Sequence, residues 1–203
     1  MTRPAGLILD YGNVLSRPQD QRWLDPAAAR IGTTADTLRS AYWQHRQAYD
    51  AGLPAREYWQ RVLATAGSAR TVDALDLAWL IEQDVASWLV HDDDVWALAA
   101  GFRARGGRTA FLSNSGPEVM AKLRSERPID RLFDAVVVSC EVGLSKPDPR
   151  IYRHCLAHLG LEPSQALFVD DRADNIEGAA RIGLRTLQFD GPDALARLRA
   201  LVG

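Results

Sequence analysis

The N-terminal region contains the stretch that decides the fold, Leu7-Ile8-Leu9-Asp10-Tyr11-Gly12-Asn13. Its first three residues form an apolar run of the length that is typical of a buried strand. A carboxylate follows directly, and a glycine turn comes after it. Open α/β sheets place their reactive groups in the crevice beyond the carboxyl ends of the strands. A single Asp-x-Gly is also common in ordinary turns, so the prediction of a site depends on the residues at the ends of the other strands.

Three further apolar runs end in polar or charged residues of the kind that active sites use. They are 109–112 before Ser113-Asn114-Ser115, 135–138 before Ser139-Cys140 and the later Ser145-Lys146-Pro147, and 166–169 before Asp170-Asp171. The chain therefore presents Asp, Ser, Lys and a carboxylate pair in that order, each after a predicted strand. We expect these groups to lie in one crevice at the edge of a sheet.

The composition divides the chain into two regions. All six Trp lie between residues 23 and 96, and all five Phe lie at residue 102 or later. The early region has apolar residues at helical spacing, first at Leu38, Tyr42 and Tyr49, and later from Val72 to Leu89. A further helix is predicted to begin at Pro54 and to end near residue 67. Residues 16–95 are therefore predicted to form an all-helical cap inserted after the first strand.

Helices and strands alternate from residue 92 onward. An acidic helix start at 92–94 leads to the turn at 106–107, and further helices are predicted at 116–126, 148–159, 173–182 and 193–202. The strands between them are predicted at 108–112, 135–138, 166–169 and 186–189. Short loops and this alternation indicate an α/β fold with a doubly wound, Rossmann-like parallel sheet of about five strands. Residues 1–15 and 96–203 would form that core.

The four loops, taken together and in order, resemble those of the haloacid dehalogenase superfamily over residues 6–190. Two motifs, Asp10-Tyr11-Gly12-Asn13-Val14 and the stretch 170–179, are similar to those of bacterial α-glucose-1-phosphate phosphatases and of the phosphatase domain of soluble epoxide hydrolases. The resemblance implies a phosphatase in which the helical insert closes over a Rossmann-like core. It also implies hydrolysis of small phosphorylated metabolites such as sugar phosphates, including sugar 1-phosphates.

Phosphoryl transfer requires a nucleophile in line with phosphorus and positive charge around the phosphoryl oxygens. Asp10 can act as the nucleophile and form an aspartyl-phosphate. Two anions repel each other, so a cation is needed, and oxygen ligands from Asp171, Asp170 and Asn175 suit Mg²⁺ better than Zn²⁺. The resemblance implies direct ligation by Asp10, Asp171 and the main-chain carbonyl of Gly12. The resemblance also implies that Asp170 and Asn175 contact the metal through water or support the direct ligands from behind.

Three more residues take roles from the resemblance. Ser113 corresponds to a hydroxyl donor to a phosphoryl oxygen, and Lys146 to a lysine that offsets charge between the nucleophile and the phosphate. Asn114 is expected to orient either the substrate or its own loop, and it is counted among the substrate-binding residues. A helix start after Ser113 would add main-chain N–H groups as anion donors.

The sequence departs from the superfamily pattern at Gly12. Most phosphatases of the superfamily carry there a second Asp, which acts as general acid and then as base. Such assistance typically contributes a factor of about 10² to 10⁴. Either the substrate has a comparatively acidic leaving oxygen, or a cap residue or the substrate itself moves the proton.

The cap is expected to set specificity through one face of its second helix, where Tyr42, Arg46 and Tyr49 fall together. Aromatic rings beside an Arg suit a sugar ring or a phosphate. The alternative is a helix-bundle core with an Arg whose stem is buried. Arg46 is the first candidate for substrate binding, and Arg172, next to the carboxylate pair, is the second.

The bulk properties narrow the classes of partner. The 203 residues carry a net charge of −2, which gives no basic surface for nucleic acid. No stretch reaches the roughly 18 apolar residues of a membrane span. The first strand begins too early to leave room for a signal peptide, and two cysteines do not suggest a disulfide framework. We therefore predict a cytoplasmic monomer or homodimer that acts on a small molecule.

Two alternative functions remain open at this point. A 2-haloacid dehalogenase shares the Asp nucleophile and needs no metal, but Asp170 and Asp171 would then lie uncompensated beside Asp10. A ligand-binding or regulatory protein with reduced turnover would follow from the loss of the acid at Gly12. Release of phosphate, release of halide, or binding without release distinguishes the three.

Overall fold

The computed structural model describes residues 3–71 and 74–203, with the side chains of 74–76 left out. Val72 and the side chain of Leu75, which the periodicity assigns to a cap helix, lie outside the described residues. The fold is the predicted α/β arrangement, a Rossmann-like parallel sheet with helices around it. Among the described residues, every helix is too short or too polar to cross a bilayer.

The sheet consists of five parallel strands. They are β1 Gly6–Leu9, β2 Arg108–Ser113, β3 Ala135–Val138, β4 Ala166–Asp170 and β5 Arg185–Gln188. Each predicted strand is confirmed to within one or two residues. Because helices cover both faces, β1, β3 and β4 are continuous apolar runs, whereas the edge strand β5 is mostly polar and half-buried.

The strand order β3-β2-β1-β4-β5 puts β1 in the centre. Leu9 pairs with Phe111 of β2 on one side and with Val169 of β4 on the other. The chain after β1 goes to one side of the sheet, and the chain after β3 crosses to the other side, so the topology switches between β1 and β4. Ligands of such sheets bind outside this switch point, which is where Asp10 and Asp170 lie.

Two apolar clusters pack on the two faces of the sheet. Leu7 and Leu9 point into one and Ile8 into the other, as the two-residue period of a strand requires. The first cluster receives α5 Asp93–Ala104, α6 Pro117–Glu126, α7 Ile129–Leu132 and α11 Ala194–Val202. The second receives α9 Pro149–Leu159 and α10 Ala173–Ala180. The short helices α7 and α8 Ser139–Val142 were not predicted, because four residues are too few to show helical periodicity.

A third apolar cluster lies among the helices that precede α5. They are α1 Leu24–Ile31, α2 Ala35–Asp50, α3 Ala55–Thr65 and α4 Ala74–Trp88. Trp23, Tyr58 and Trp59 are buried in this cluster. Helix α4 spans two clusters, because Leu80 packs in the third and Val85 packs against the sheet side. A single antiparallel bridge between Ser16 and His91 brings together the two ends of this region.

Candidate active site

The chain leaves β1 through a wide turn, Tyr11–Leu15, which is closed by a hydrogen bond from the N–H of Ser16 to the carbonyl of Tyr11 at 2.8 Å, and in which Gly12 and Asn13 have non-helical backbone angles. Asn13 has φ of 58°, and among the described residues no other non-glycine residue has a positive φ. Asn is one of the few residues that adopt this conformation readily. The turn directs Nδ2 of Asn13 to Oδ2 of Asp171, at 2.7 Å. The sequence interpretation missed this link between the first and fourth loops, although an Asn after a glycine is a signal for such a turn.

Lys146 joins two of the predicted carboxylates. Its Nζ lies 2.7 Å from Oδ1 of Asp10 and 2.6 Å from Oδ2 of Asp170, and it also donates to the carbonyl of Leu112 at 3.0 Å. The Lys146 side chain is 1% exposed. The main-chain N–H of Tyr11 donates to the same oxygen of Asp10 at 2.7 Å. The carboxylate of Asp10 is therefore fixed in orientation at the centre of the sheet edge.

Asp170 is fully buried and has both its oxygens occupied. Oδ1 accepts from the main-chain N–H of Arg172 at 2.9 Å, and Nδ2 of Asn175 donates to both oxygens at 3.0 and 3.1 Å. Together with the bond from Lys146, these contacts make Asp170 an anchor for its neighbours. The NH₂ group of Asn175 is therefore directed toward Asp170, and its role toward a metal stays a prediction.

Asp10, Asp170 and Asp171 each offer one oxygen, and the three oxygens lie within 4.8 Å of one another. Burial raises the pKa of Asp10 to about 8; the charges of Asp170 and Asp171 also raise it, and Lys146 opposes them. Burial likewise raises the pKa of Asp171. When all three carboxylates are ionised they face a single ammonium group, so the cluster then has an excess of negative charge, and it offers a donor set of hard oxygens. Such a set fits Mg²⁺.

The second and third loops are fastened to each other. Oδ1 of Asn114 accepts from the main-chain N–H of Lys146, and Nδ2 of Asn114 donates to its carbonyl, both at 2.9 Å. The peptide bond between Lys146 and Pro147 is cis. These bonds support the loop-orienting role for Asn114, whereas its contact with a substrate stays a prediction. Ser113 ends β2 and is buried at the wall of the same cavity.

A cavity of about 370 Å³ lies over the sheet edge. All the predicted site residues except Asp170 line it, and so do residues of α2 and α4. Arg172 lies at this cavity with its guanidinium on the carboxylate of Asp174, at 2.7 Å. The structure thus brings the four loops together as the sequence predicted.

The aromatic face of the cap is not part of the cavity wall. Tyr42 and Tyr49 are buried in the third cluster, as the alternative of a helix-bundle core predicts. Among the described residues that line the cavity, those of α2 are Trp43, Arg46, Gln47 and Asp50. Arg46 does reach the wall, but it is 5% exposed and its guanidinium pairs with Asp50 and Asp84. Helical periodicity placed the three residues on one face but could not show that the face points inward.

Comparison with known sequences gives relatives of several activities. The chain is 45% identical to acyl-CoA dehydrogenase family member 10 of Mus musculus over 103 residues, 50% of this chain and 9% of that protein. It is 44% identical to the chloroplast flavin mononucleotide hydrolase 1 of Arabidopsis thaliana over 59 residues, 29% of this chain and 24% of the relative. Bifunctional epoxide hydrolase 2 of Rattus norvegicus is 30% identical over 112 residues, 52% of this chain and 20% of the enzyme. The matches thus cover less than a quarter of these three proteins.

A longer match is with (S)-2-haloacid dehalogenase 4A of Burkholderia cepacia, 25% identical over 193 residues, 91% of this chain and 79% of the enzyme. The fold is shared with a HAD-like family hydrolase of Porphyromonas gingivalis, with a TM-score of 0.75, 21% identity and all of both chains covered. A HAD family enzyme of Bacteroides thetaiotaomicron, solved with magnesium and inorganic phosphate, gives a TM-score of 0.69 at 18% identity over 89% of this chain and 91% of that one. The family profile of haloacid dehalogenase-like hydrolases matches residues 12–183, and the chain belongs to this family.

Proposed function

We propose that this hydrolase is a Mg²⁺-dependent phosphatase of small phosphorylated metabolites and that Asp10 is its nucleophile. The observation that carries the proposal is the carboxylate of Asp10, held by Lys146 at 2.7 Å beside a cluster of two more carboxylates. The flavin mononucleotide hydrolase and the structure with magnesium and phosphate support the same reaction class.

The metal would be held by Asp10, Asp171 and the main-chain carbonyl of Gly12. Asp170 and Asn175 would support these ligands from behind, because their side chains bond to each other. When bound, Mg²⁺ would offset the repulsion between the carboxylate of Asp10 and the oxygens of the ester. Asn13 would keep Asp171 in place through its 2.7 Å hydrogen bond.

The chemistry at Asp10 has two steps. A carboxylate oxygen attacks phosphorus, the bond between phosphorus and the ester oxygen breaks, and the electron pair leaves with the alcohol. Water then attacks phosphorus of the aspartyl-phosphate, which releases inorganic phosphate and restores Asp10. Lys146 holds the carboxylate for attack, and the hydroxyl of Ser113 donates to a phosphoryl oxygen.

Proton transfer to the leaving group has no donor at residue 12. Gly12 has φ of −60° and ψ of 127°, which any L-residue can adopt, and a Cβ there would lie 3.4 Å from the ring of Trp88. An Asp side chain is thus compatible with the backbone. We propose that the natural substrate has a comparatively acidic leaving oxygen, as at a sugar anomeric carbon, or receives its proton from the cap or from its own groups.

We further propose that residues 16–95 act as the cap over a core of 1–15 and 96–203. Arg46 of the cap and Arg172 of the core line the cavity and are the candidates for substrate contact, although the guanidinium of Arg46 is already paired with Asp50 and Asp84. The chain is expected to work without nucleic acid or membrane. Its cytoplasmic location and its state as monomer or homodimer stay predictions.

The test is a panel of phosphate esters, including sugar 1-phosphates and 6-phosphates, assayed for phosphate release with Mg²⁺ and with chelator. Wild-type protein should release phosphate with Mg²⁺ and lose the activity with chelator. Asp10→Asn should abolish turnover while preserving the fold, and the exposed substitution Asp36→Asn serves as a control. Turnover by Asp10→Asn near the wild-type level would rule out the nucleophile.

The long match to a dehalogenase favours one second candidate, hydrolysis of 2-haloacids through the same Asp10. The carboxylates at 170 and 171 oppose it, because without a metal Lys146 is, among the described residues, the one cation shown to contact this cluster of three carboxylates. Incubation with 2-chloropropionate decides the matter. Release of halide from 2-chloropropionate, with no release of phosphate from any ester, would show that the protein is a dehalogenase and not a phosphatase.

A further inference from the structure

The cap side of the cavity has its own group of charges. Arg46 and Asp50 come from α2, and Asp84 comes from α4. Nε of Arg46 lies 2.8 Å from Oδ1 of Asp50, and Nη1 lies 3.2 Å from Oδ1 of Asp84. All three side chains are largely buried. One guanidinium therefore faces two carboxylates, so this group carries an excess of negative charge when all three are ionised.

The charge of Arg46 is already used within the cap. Besides its two carboxylates it contacts the hydroxyl of Tyr42, and its guanidinium carbon lies 5.2 to 5.4 Å from the ring centres of Tyr42, Tyr49 and Trp88. Binding a second anion of a substrate would require Arg46 to leave these partners. Breaking a buried ion pair leaves an uncompensated charge, which is strongly unfavourable.

The other two cations at the cavity wall also have carboxylate partners. Lys146 lies between Asp10 and Asp170, and Arg172 pairs with Asp174 through Nε at 3.0 Å and Nη2 at 2.7 Å. Among the described residues that line the cavity, each Lys or Arg is thus paired. The core end of the cavity can neutralise a phosphoryl group. At its cap end, the described residues include no unpaired Lys or Arg that could bind a second anion.

Among the described residues of the cap, Asp50 is the carboxylate that lines the cavity. Its side chain is 13% exposed, and its main-chain carbonyl accepts from Oγ of Ser139. Burial raises the pKa of Asp50 to about 6; Arg46 opposes this, and the charge of Asp84 raises it further. The carboxylate is therefore mostly ionised at neutral pH, and added negative charge nearby is already disfavoured.

Two indole rings line the same cavity as Asp50. Trp43 is 46% exposed, and its ring centre lies 6.2 Å from that of Trp88 in an edge-to-face arrangement. Aromatic faces and a carboxylate together bind ammonium groups by cation–π attraction and charge pairing, and they also bind hydroxylated carbon chains. They have nothing to offer a carboxylate or a second phosphate.

We infer that the cap end of the cavity selects phosphate monoesters whose alcohol part bears an ammonium or hydroxyl group and no second negative charge, with Asp50 as the residue that binds that group. This inference rests on the proposed phosphatase activity. It predicts an order of preference in which ammonium-bearing esters come first, hydroxylated neutral esters second, and carboxylate-bearing esters last.

The test uses a pair of esters matched in size. Phosphoethanolamine and 2-phosphoglycolate both have a two-carbon alcohol part, and they differ in an ammonium against a carboxylate, while glycerol phosphate is the neutral reference. We expect kcat/KM with Mg²⁺ to be on the order of tenfold or more higher for phosphoethanolamine, since juxtaposed like charges are strongly unfavourable. The readout is the ratio of the two kcat/KM values, which a general loss of activity does not change.

Substitutions test whether Asp50 causes the preference for phosphoethanolamine over 2-phosphoglycolate. Asp50→Asn should reduce the ratio toward one, and Asp50→Glu should keep part of it. Asp36→Asn removes the same charge from the same helix, but its side chain is 89% exposed and away from the cavity wall. It should leave the ratio unchanged.

The possible results distinguish a failure of this inference from a failure of the proposed phosphatase function. Equal or reversed kcat/KM values for the matched pair, or a ratio that survives Asp50→Asn, overturn the inference while the phosphatase stands. No release of phosphate from any ester of either panel overturns the proposed function, and the inference falls with it.

Discussion

Replacement of Lys146 by Met tests how the site holds its charges together. Met has similar length but no charge, so Lys146→Met removes the ammonium group and leaves the carboxylates of Asp10 and Asp170 buried without it. In the native protein Nζ lies 2.7 and 2.6 Å from these carboxylates. We expect a large loss of stability when no metal is bound.

The size of that loss follows from the distances and the burial. At about 2.7 Å and an effective dielectric of ~20, each attraction is worth about 6 kcal/mol. Burying the ammonium group costs several kcal/mol, which offsets part of this gain. Removing one partner of a buried ion pair typically costs about 3–5 kcal/mol, and we expect Lys146→Met to fall in that range.

The assay is urea unfolding at 25 °C in chelator, followed by tryptophan fluorescence, at pH 9, which lies above the pKa of about 8 of Asp10 so that its carboxylate is ionised. Lys122→Met is the matched control, because Lys122 pairs with Glu126 at 3.1 Å but its side chain is 54% exposed. Such surface pairs contribute about 0–1 kcal/mol. A loss for Lys146→Met no larger than that for Lys122→Met would refute this reasoning.

Three further predictions concern the loops around Asp10. Gly12→Asp should raise the rate on simple alkyl phosphates, in the direction of the factor of about 10² that general acids supply; a rate that stays at or below wild type would remove the account of a missing acid. In chelator, the contribution of Asp10 to stability should decline as pH rises from about 4 to about 8, because its native pKa of about 8 lies above its ordinary value of 3.8 and the native state holds the proton more tightly. Asp10→Asn should therefore gain stability relative to wild type over this range, as measured by urea unfolding at several pH values, and a constant difference would contradict the shift. Asn114→Ala should lose about 2 kcal/mol of stability, since it removes two hydrogen bonds to the main chain of Lys146, and it should lower kcat; a variant with wild-type stability and kcat would contradict the loop-orienting role.

The sheet and its loops could be predicted because the strands are short apolar runs that end in polar residues. Strand positions need no side-chain detail once the alternation of helices and strands is known, and the predicted bounds differ from those observed by one or two residues. The meeting of Asp10, Lys146, Asp170 and Asp171 follows from the same rule, that parallel strands end at one edge.

Pairings between distant side chains could not be predicted in the same way. The bond between Asn13 and Asp171 joins residues 158 apart in the chain. The ion pair between Arg46 and Asp84 depends on how α2 packs on α4, and helical periodicity shows which residues share a face but not what faces them. For this reason the sequence alone leaves Arg46 free to bind substrate and does not single out Asp50.

The central claim is that Asp10 takes the phosphoryl group from the ester. Its most direct test is a single-turnover reaction with Mg²⁺ and an ester that the protein hydrolyses, quenched with acid at early times. The protein is then digested, and its peptides are analysed by mass spectrometry. We predict a transient phosphoryl group on the side chain of Asp10, absent from Asp10→Asn. Phosphate release at the full rate with no phosphoryl group on Asp10 at any time, or with the group on another residue, would contradict it.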